Sequence, residues 1–304
     1  MSEPIAYLNG QLLPASQATL PIDDAGFVMG ATVTEQLRTF GGRLFRLERH
    51  LERLRHSLDI CGLDSGLSSA DFGQIAEKLV ARNHPLLAQG DDLGLAIFIT
   101  PGPYPALAES RNHIATVGLH TFPLAFRLWA KCYTEGLSLV TTSILQVPSH
   151  CWPAELKCRS RMHYFLADKE ATTKEPGARA VLLDAAGHVT ETSTANILLY
   201  VSGVGLISPP RTSVLPGVSL EFVIEMARGL NLSIIEREIL PDDVATADEV
   251  LLSSTPNCLL PVTRFDGRAI GSGKRGSVFG RLLTAWGETV GLDIAGQAVC
   301  FANR

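Results

Sequence analysis

A single lysine stands in the most chemically suggestive stretch of this chain, residues 154–164, which read AELKCRSRMHY. An ε-amine forms a Schiff base only from its neutral form, so it needs partial desolvation or cationic neighbours that lower its pKa. Arg159 and Arg161 are neighbours of that kind. The chain has only six lysines, and several of the others lie in segments typical of polar helix surfaces or loops. Lys157 is therefore the candidate covalent catalytic residue, with a solvated surface lysine as the alternative.

One acidic residue, Glu191, lies among small hydroxyl residues directly after a predicted turn, in the segment 190–196. Small polar residues of this kind are common in turns, so Glu191 could serve only to stabilise local backbone. Its other use is to hold a protonated ring nitrogen. A fixed carboxylate beside a pyridine favours the protonated nitrogen and makes the ring an electron sink.

Three features could bind a phosphate. A Leu-Pro-Gly sequence leads into a predicted helix, so the backbone N–H groups of Val218 and Ser219 would face an anion at a positive helix end. Ser254 and Thr255 add hydroxyl groups at the end of a predicted strand, and Arg53 is a cation within a predicted helix. The alternatives are a plain loop-to-helix junction, a polar strand end and a solvated arginine.

Composition narrows the class of protein. The chain has 304 residues, 46% of them apolar, enough for two domains with proper cores. A net charge of −5 gives no basic surface for nucleic acid or an anionic membrane. The six cysteines show no CxxC pair and no metal-type spacing, which favours reduced thiols and the cytoplasm. No signal segment and no long apolar run is present, so we expect no membrane segment.

The first part of the chain predicts a small α/β domain over residues 1–121. Apolar residues flank Asn9-Gly10, the strongest short hairpin signal. Helical periodicity is clear over Phe45–Leu63 and present over Ala70–Ala81. The segment Ala31–Phe40 reads as a helical turn or bulged strand running into a strand. Two further apolar strands are predicted over Leu93–Thr100 and Ile114–His120.

Irregular residues over 122–136 predict an interdomain linker, and residues 137–304 a larger C-terminal domain. Its predicted strands are Leu137–Thr142, Ala180–Leu183, Asn196–Val201, Val204–Ser208, Leu232–Glu236, Glu249–Ser253 and Cys258–Phe265. Its predicted helices are Met162–Ala171, Leu220–Leu230 and, closing the domain, Val278–Thr289.

Taken together, these segments resemble the fold-type IV family of pyridoxal-5′-phosphate (PLP) enzymes, which includes branched-chain aminotransferases, D-amino acid aminotransferases and 4-amino-4-deoxychorismate lyases. The resemblance spans nearly the whole chain and rests on these motifs: YLNG at 7–10, FRLERHLERL at 45–54, LK at 156–157, VTE at 189–191, LPG at 215–217 and SST at 253–255. It implies a two-domain fold, with a small α/β domain and a larger mixed β-barrel-like domain surrounded by helices. It also implies a homodimer.

The resemblance also implies roles for individual residues. Lys157 is the Schiff-base lysine and proton carrier, and Glu191 pairs with the pyridine nitrogen of PLP. The phosphate is held by the following residues: Arg53, Val218, Ser219, Ser254 and Thr255.

The substrate side departs from the family pattern. Branched-chain enzymes bind the substrate carboxylate partly through a backbone N–H at the position of Pro256, and proline has none. D-amino acid enzymes carry an arginine and a histidine where this chain has Pro101–Tyr104. We therefore expect Arg38, Arg159 or Arg161 to meet a substrate carboxylate.

The predicted activity is transfer of an amino group from an amino acid to a 2-oxo acid, in branched-chain-like fashion. The alternatives are an aminodeoxychorismate lyase giving 4-aminobenzoate and pyruvate, a D-amino acid aminotransferase, and a catalytically silent PLP-binding homologue.

Overall fold

The computed structural model describes residues 3–107 and 114–304 and divides the chain into two compact units. The first unit comprises residues up to Leu124 together with Leu156–Ser160. The second comprises Ala125–Glu155 and Arg161–Arg304. The segment that contains Lys157 therefore packs with the first unit, although the chain on either side of it belongs to the second.

The first unit is an antiparallel sheet with two long helices. Its strands are β1 (Ile5–Leu8), β2 (Gln11–Pro14), β3 (Val33–Phe40), β4 (Arg43–Leu44), β5 (Leu93–Thr100) and β6 (Thr116–Pro123). Its helices are α1 (Ala25–Val28), α2 (Leu47–Cys61) and α3 (Ser69–Asn83). The strand order is β2-β1-β6-β5-β3-β4, and α2 and α3 share one buried apolar cluster with this sheet.

Local sequence explains these elements. Asn9 and Gly10 both have positive φ, 47° and 87°, as a two-residue hairpin turn requires, so the predicted hairpin is confirmed. Helix α2 buries leucines at helical spacing, among them Leu47, Leu51 and Leu58. It ends at Gly62, whose φ of 61° suits a glycine C-cap.

The second unit is a barrel with surrounding helices. Its strands are β7 (Leu137–Thr141), β8 (Arg179–Leu183), β9 (Val189–Thr192), β10 (Asn196–Val201), β11 (Gly205–Ser208), β12 (Ile234–Glu236), β13 (Glu249–Ser254), β14 (Cys258–Phe265) and β15 (Arg268–Ala269). Its helices are α4 (Cys132–Glu135), α5 (Met162–Lys174), α6 (Val218–Gly229), α7 (Pro241–Thr246), α8 (Ser277–Val290) and α9 (Ile294–Cys300).

Strand pairing closes the sheet of the second unit on itself. The order β10-β13-β14-β7-β8-β9 returns to β10 through the pair Asn196 and Glu191. β11 and β12 extend from β10, and β15 adds to β14. Helix α5 packs on β7 and β8 through Ala167 and Ala171, one turn apart. The predicted barrel-like architecture is confirmed.

Two expectations were incomplete. Helix α8 does not close the chain, because α9 follows it and begins at Asp293, whose carboxylate accepts a hydrogen bond from the N–H of Gly296 (3.0 Å). The segment 122–136 holds the end of β6, a 3-10 turn and α4, and it buries Phe126 and Tyr133. The domain limits at 122–136 stay a prediction. Across the described residues no helix is both long and apolar enough to cross a membrane.

Candidate active site

The Lys157 segment is an extended strip held on β3 of the first unit. The N–H of Thr34 donates to the Lys157 carbonyl (3.0 Å), and the N–H of Arg159 donates to the Thr32 carbonyl (2.9 Å). On the helix side, the N–H of Lys157 donates to the hydroxyl of Ser57 on α2 (3.1 Å). Three hydrogen bonds therefore fix the backbone on both sides of the lysine, which is half-buried.

Alternation along this strip decides where its side chains lie. Leu156 packs against the apolar cluster shared with α2 and α3. Successive side chains of an extended segment point to opposite sides, so Lys157 and Arg159 share the side away from that cluster. The Arg159 guanidinium lies 5.6 Å from the centre of the Phe98 ring, in agreement with this placement.

A buried ionic cluster on β3 and α2 contains the predicted phosphate ligand Arg53. Its Nε and Nη2 donate to the two carboxylate oxygens of Glu35 (2.9 and 2.7 Å), a forked ion pair. His50 Nδ1 lies 3.1 Å from the same carboxylate. Burial would raise the pKa of Glu35, but the charges of Arg53 and then His50 outweigh it and hold that pKa well below its usual range.

The neighbouring histidine is driven toward its neutral form. Burial lowers the pKa of His50 most, Glu35 opposes that effect, and the charges of Arg53 and Lys157 lower the pKa further. The electrostatic influence of Lys157 on His50 shows that the lysine and the Arg53 cluster belong to one charged neighbourhood of the first unit.

Glu191 lies on β9 of the second unit and is only 7% exposed. Its Oε1 accepts hydrogen bonds from the Tyr164 hydroxyl (2.6 Å) and from Nε2 of Gln146 (2.9 Å). Its Oε2 accepts from the N–H of Leu215 at 3.4 Å. The partners are side chains of α5 and of the loop after β7, so Glu191 is more than the acid of a local turn.

Tyr164 is a neutral phenol in this arrangement. Burial raises the pKa of Tyr164 well above its usual value, and the charge of Glu191 raises it further. The phenol therefore donates its proton to the carboxylate. Its ring lies 3.9 Å, centre to centre, from the ring of His163 and 5.0 Å from the guanidinium of Arg161.

The loop before α6 approaches β10 closely. Nδ2 of Asn196 donates to the Leu215 carbonyl (2.9 Å), and a Cβ added at Gly217 would collide with Oδ1 of Asn196. Only glycine fits there, and it leaves the start of α6 without a capping side chain. Val218 and Ser219 are the first helical residues, at the end of the helix where N–H groups and the helix dipole favour an anion.

Ser254 and Thr255 lie at the turn between β13 and β14, also in the second unit. The Ser254 hydroxyl donates to Oδ1 of Asn257 (3.0 Å), while Thr255 is half-buried. On the adjacent strand pair, Asn196 stands opposite Ser253. The β10 residue that holds the α6 loop therefore also borders the strand that leads into this turn.

The three predicted substrate arginines occupy different surroundings. Arg38 on β3 is 1% exposed, with Nε donating to the Thr39 carbonyl (3.2 Å) and its guanidinium 4.0 Å from the centre of the Phe40 ring. Arg161 donates to the Ser193 carbonyl. Arg159 is exposed. The substrate role of each stays a prediction, and exposure favours Arg159.

Four further residues of these clusters were missed by sequence reasoning: Glu35, His50, Gln146 and Tyr164. Residues 50 and 53 lie one helical turn apart, which was the available signal for a polar cluster on the buried side of α2. No local pattern links Gln146 or Tyr164 to Glu191, because the barrel brings them together from 45 and 27 residues away.

The residues present in the second unit fit PLP. Glu191 offers a buried carboxylate, α6 offers a helix N-terminus, and the β13–β14 turn offers hydroxyl groups. Two buried oxygens, Oε1 of Gln146 and Oγ of Ser253, have no hydrogen-bond partner among the described residues. Buried polar atoms are nearly always paired, so these two indicate groups that a bound molecule would satisfy.

Comparison with known proteins identifies the family. Residues 32–265 match the family model for amino-transferase class IV. The D-alanine aminotransferase of Bacillus licheniformis is 29% identical over 284 residues, covering 91% of this chain and 94% of that protein. The chain therefore belongs to the class IV aminotransferases, and the prediction of a PLP-dependent aminotransferase is confirmed.

Solved structures agree on the fold. The branched-chain amino acid aminotransferase of Escherichia coli superposes with a TM-score of 0.86 at 23% identity, covering 94% of each chain. The branched-chain amino acid aminotransferase of T.th., solved in complex with N-(5′-phosphopyridoxyl)-L-glutamate, gives a TM-score of 0.84 at 23% identity and covers 96% of this chain and 95% of that one.

Proposed function

We propose that this chain transfers an amino group from an amino acid to a 2-oxo acid, with Lys157 as the residue that carries PLP. The observation that supports this most is the fixed strip around Lys157, with its backbone bonded to β3 and α2 and its side chain on the same side as Arg159. A covalent cofactor needs an anchor whose position does not drift, and three backbone hydrogen bonds supply one.

PLP, when bound, supplies the electron sink that makes a substrate Cα–H bond breakable. Lys157, once displaced by the substrate amine, takes the proton from Cα and returns it at C4′ of the cofactor. Glu191 keeps the ring nitrogen protonated. The N–H groups of Val218 and Ser219, with the hydroxyl of Thr255, bind the phosphate.

Two further groups support phosphate binding in this proposal. The Ser254 hydroxyl completes the β13–β14 turn beside Thr255. Arg53 contributes a cation whose orientation is set by its forked pair with Glu35.

The substrate carboxylate is assigned to Arg159. Pro256 has no N–H to offer at the position that branched-chain enzymes use. Arg159 is two residues from Lys157 on an extended strip and is exposed, so it can reach a group attached to the same Cα that the lysine deprotonates. A guanidinium binds a carboxylate through two parallel hydrogen bonds.

A spectrophotometric screen tests the activity. Purified protein with PLP is mixed with single amino acids, without an acceptor, and loss of the visible band of the lysine-bound cofactor is followed. An aminotransferase converts the band stoichiometrically and recovers it on addition of a 2-oxo acid. A lyase would turn over aminodeoxychorismate with no acceptor and release 4-aminobenzoate.

The handedness of the substrate needs its own arm in this screen, because the relatives include a D-alanine aminotransferase and the solved neighbours are branched-chain enzymes. L-leucine, L-glutamate, D-alanine and D-glutamate are compared at equal concentration. The branched-chain-like proposal expects the L-amino acids to react faster. A preference for D-alanine would replace it with the D-amino acid alternative.

We also propose a homodimer in the cytoplasm. The first unit exposes large apolar side chains close together in sequence, including Phe27 (76%) and Met29 (63%), which a partner copy would cover. The six cysteines are free thiols, as a reducing compartment favours. Sedimentation of an active preparation at the mass of one chain would contradict the dimer.

A further inference from the structure

The carboxylate of Glu191 has two donors on one oxygen. Oε1 accepts from the Tyr164 hydroxyl at 2.6 Å and from Gln146 Nε2 at 2.9 Å, both well within hydrogen-bond range. Gln146 Nε2 also lies 3.1 Å from the Tyr164 hydroxyl oxygen, so the three side chains form one closed triangle. A carboxylate bound in this way is fixed in its rotation as well as in its position.

Both donors are committed to donating. The raised pKa of Tyr164 keeps its phenol protonated. The amide of Gln146 must turn its NH₂ group to the carboxylate, because its carbonyl oxygen would repel the negative charge. Hydrogen bonds donated to an ionised carboxylate stabilise the charged form over the neutral acid.

The phenol is itself held in place. The His163 ring lies 3.9 Å from the Tyr164 ring, and the Arg161 guanidinium lies 5.0 Å from it. Arg161 is tied in turn to the Ser193 carbonyl, two residues beyond Glu191. Tyr164 therefore reaches Glu191 from a support that does not depend on Glu191 alone.

We propose that Tyr164 and Gln146 are positioning residues that keep Glu191 ionised and oriented, so that the proton it shares with the ring nitrogen of PLP stays on the nitrogen. This inference rests on the proposed function, in which Glu191 pairs with that nitrogen. Without the two donors, the carboxylate would bind the shared proton more strongly and the ring would become a weaker electron sink.

The test uses holoenzyme loaded with PLP that carries ¹⁵N in its ring, since the ¹⁵N chemical shift reports directly whether that nitrogen is protonated. Wild-type protein should give the shift of a protonated pyridine. In Tyr164→Phe the shift should move toward that of neutral pyridine, and in Gln146→Met it should move by less, because an uncharged amide is the weaker donor. The first half reaction of Tyr164→Phe should slow by up to about a hundredfold, the factor equivalent to one hydrogen bond to a charged group.

Tyr133→Phe is the matched control. Tyr133 is a buried tyrosine of the same unit whose hydroxyl donates to the Asn257 carbonyl (2.7 Å), so its loss removes a comparable hydrogen bond away from Glu191. Its ¹⁵N shift should equal that of the wild type. A shift common to Tyr133→Phe and Tyr164→Phe would mean a general structural effect and would overturn the proposal.

The outcomes separate the inference from the function on which it rests. A protonated ring nitrogen in wild type that is unchanged in both Tyr164→Phe and Gln146→Met overturns the positioning role and leaves the aminotransferase intact. A neutral nitrogen in active wild type would remove the proposed role of Glu191 and the inference with it. If Tyr164→Phe fails to fold, Gln146→Met alone decides, because it retains the phenol and its packing.

Discussion

Removal of the Glu35 carboxylate should destabilise the first unit strongly, and the size of the effect follows from its surroundings. Glu35 is fully buried, accepts two hydrogen bonds from Arg53 at 2.7 and 2.9 Å, and lies 3.1 Å from His50. Glu35→Ala leaves the Arg53 guanidinium, 8% exposed, without its carboxylate. Loss of one partner of a buried pair costs about 3–5 kcal/mol, because the remaining charge stays desolvated.

Native-state hydrogen exchange of α2 and β3 amides measures this cost, since it reports the free energy of opening of this unit rather than of the whole chain. The matched control is Glu52→Ala on the same helix. Glu52 pairs with Arg49, but both side chains are largely exposed (61% and 48%), so we expect a loss below about 1 kcal/mol.

A double substitution completes the argument. Adding Arg53→Met to Glu35→Ala removes the stranded cation and should restore part of the stability, because two apolar side chains replace a broken ion pair. Equal, small losses for Glu35→Ala and Glu52→Ala would show that the forked pair contributes no more than an exposed one and would refute this reasoning.

Further predictions concern catalysis and pH. Glu191→Ala should keep the fold and PLP binding but lower kcat steeply, because the ring nitrogen loses its counter-charge; kcat equal to the wild type would reduce Glu191 to a turn acid. Arg159→Met should raise the KM for the amino acid by about one to two powers of ten, the value of a hydrogen bond to a charged group, while Arg161→Met serves as comparison. The pKa of His50 is lowered in the folded state by burial, so His50 contributes stability above its ordinary pKa of 6.5 that is lost as pH falls below it. Hydrogen exchange of α2 at pH 7.5 and 5.5 measures this loss, which His50→Asn should abolish; Glu35 does not interfere, because its lowered pKa keeps it ionised at both values.

Elements defined by local chemistry could be predicted from the sequence. The Asn9-Gly10 turn and the leucine spacing of α2 specify their structures within a few residues. Strand β9 could not be predicted in this way, because its sequence VTET is polar yet fully buried. Its polar groups find partners only inside the closed barrel, as the hydroxyl of Thr190 does at the Leu182 carbonyl (2.9 Å).

The candidate site divides along the same line. Lys157 and Glu191 are recognisable because each lies in a short motif with a characteristic neighbour. Tyr164 and Gln146 become visible only when long-range pairing brings them to Glu191, and no spacing in the chain encodes that contact. The substrate arginines were predicted by proximity to motifs, which did not anticipate that Arg38 is buried beside Phe40 while Arg159 is exposed.

The most direct test of the central proposal is a map of the residue that binds the cofactor. Purified protein with PLP is reduced with borohydride, digested and analysed by mass spectrometry. We expect the phosphopyridoxyl group on Lys157, and its loss together with the visible absorbance in Lys157→Ala. The group on any of the other five lysines, with Lys157 unmodified, would contradict the account.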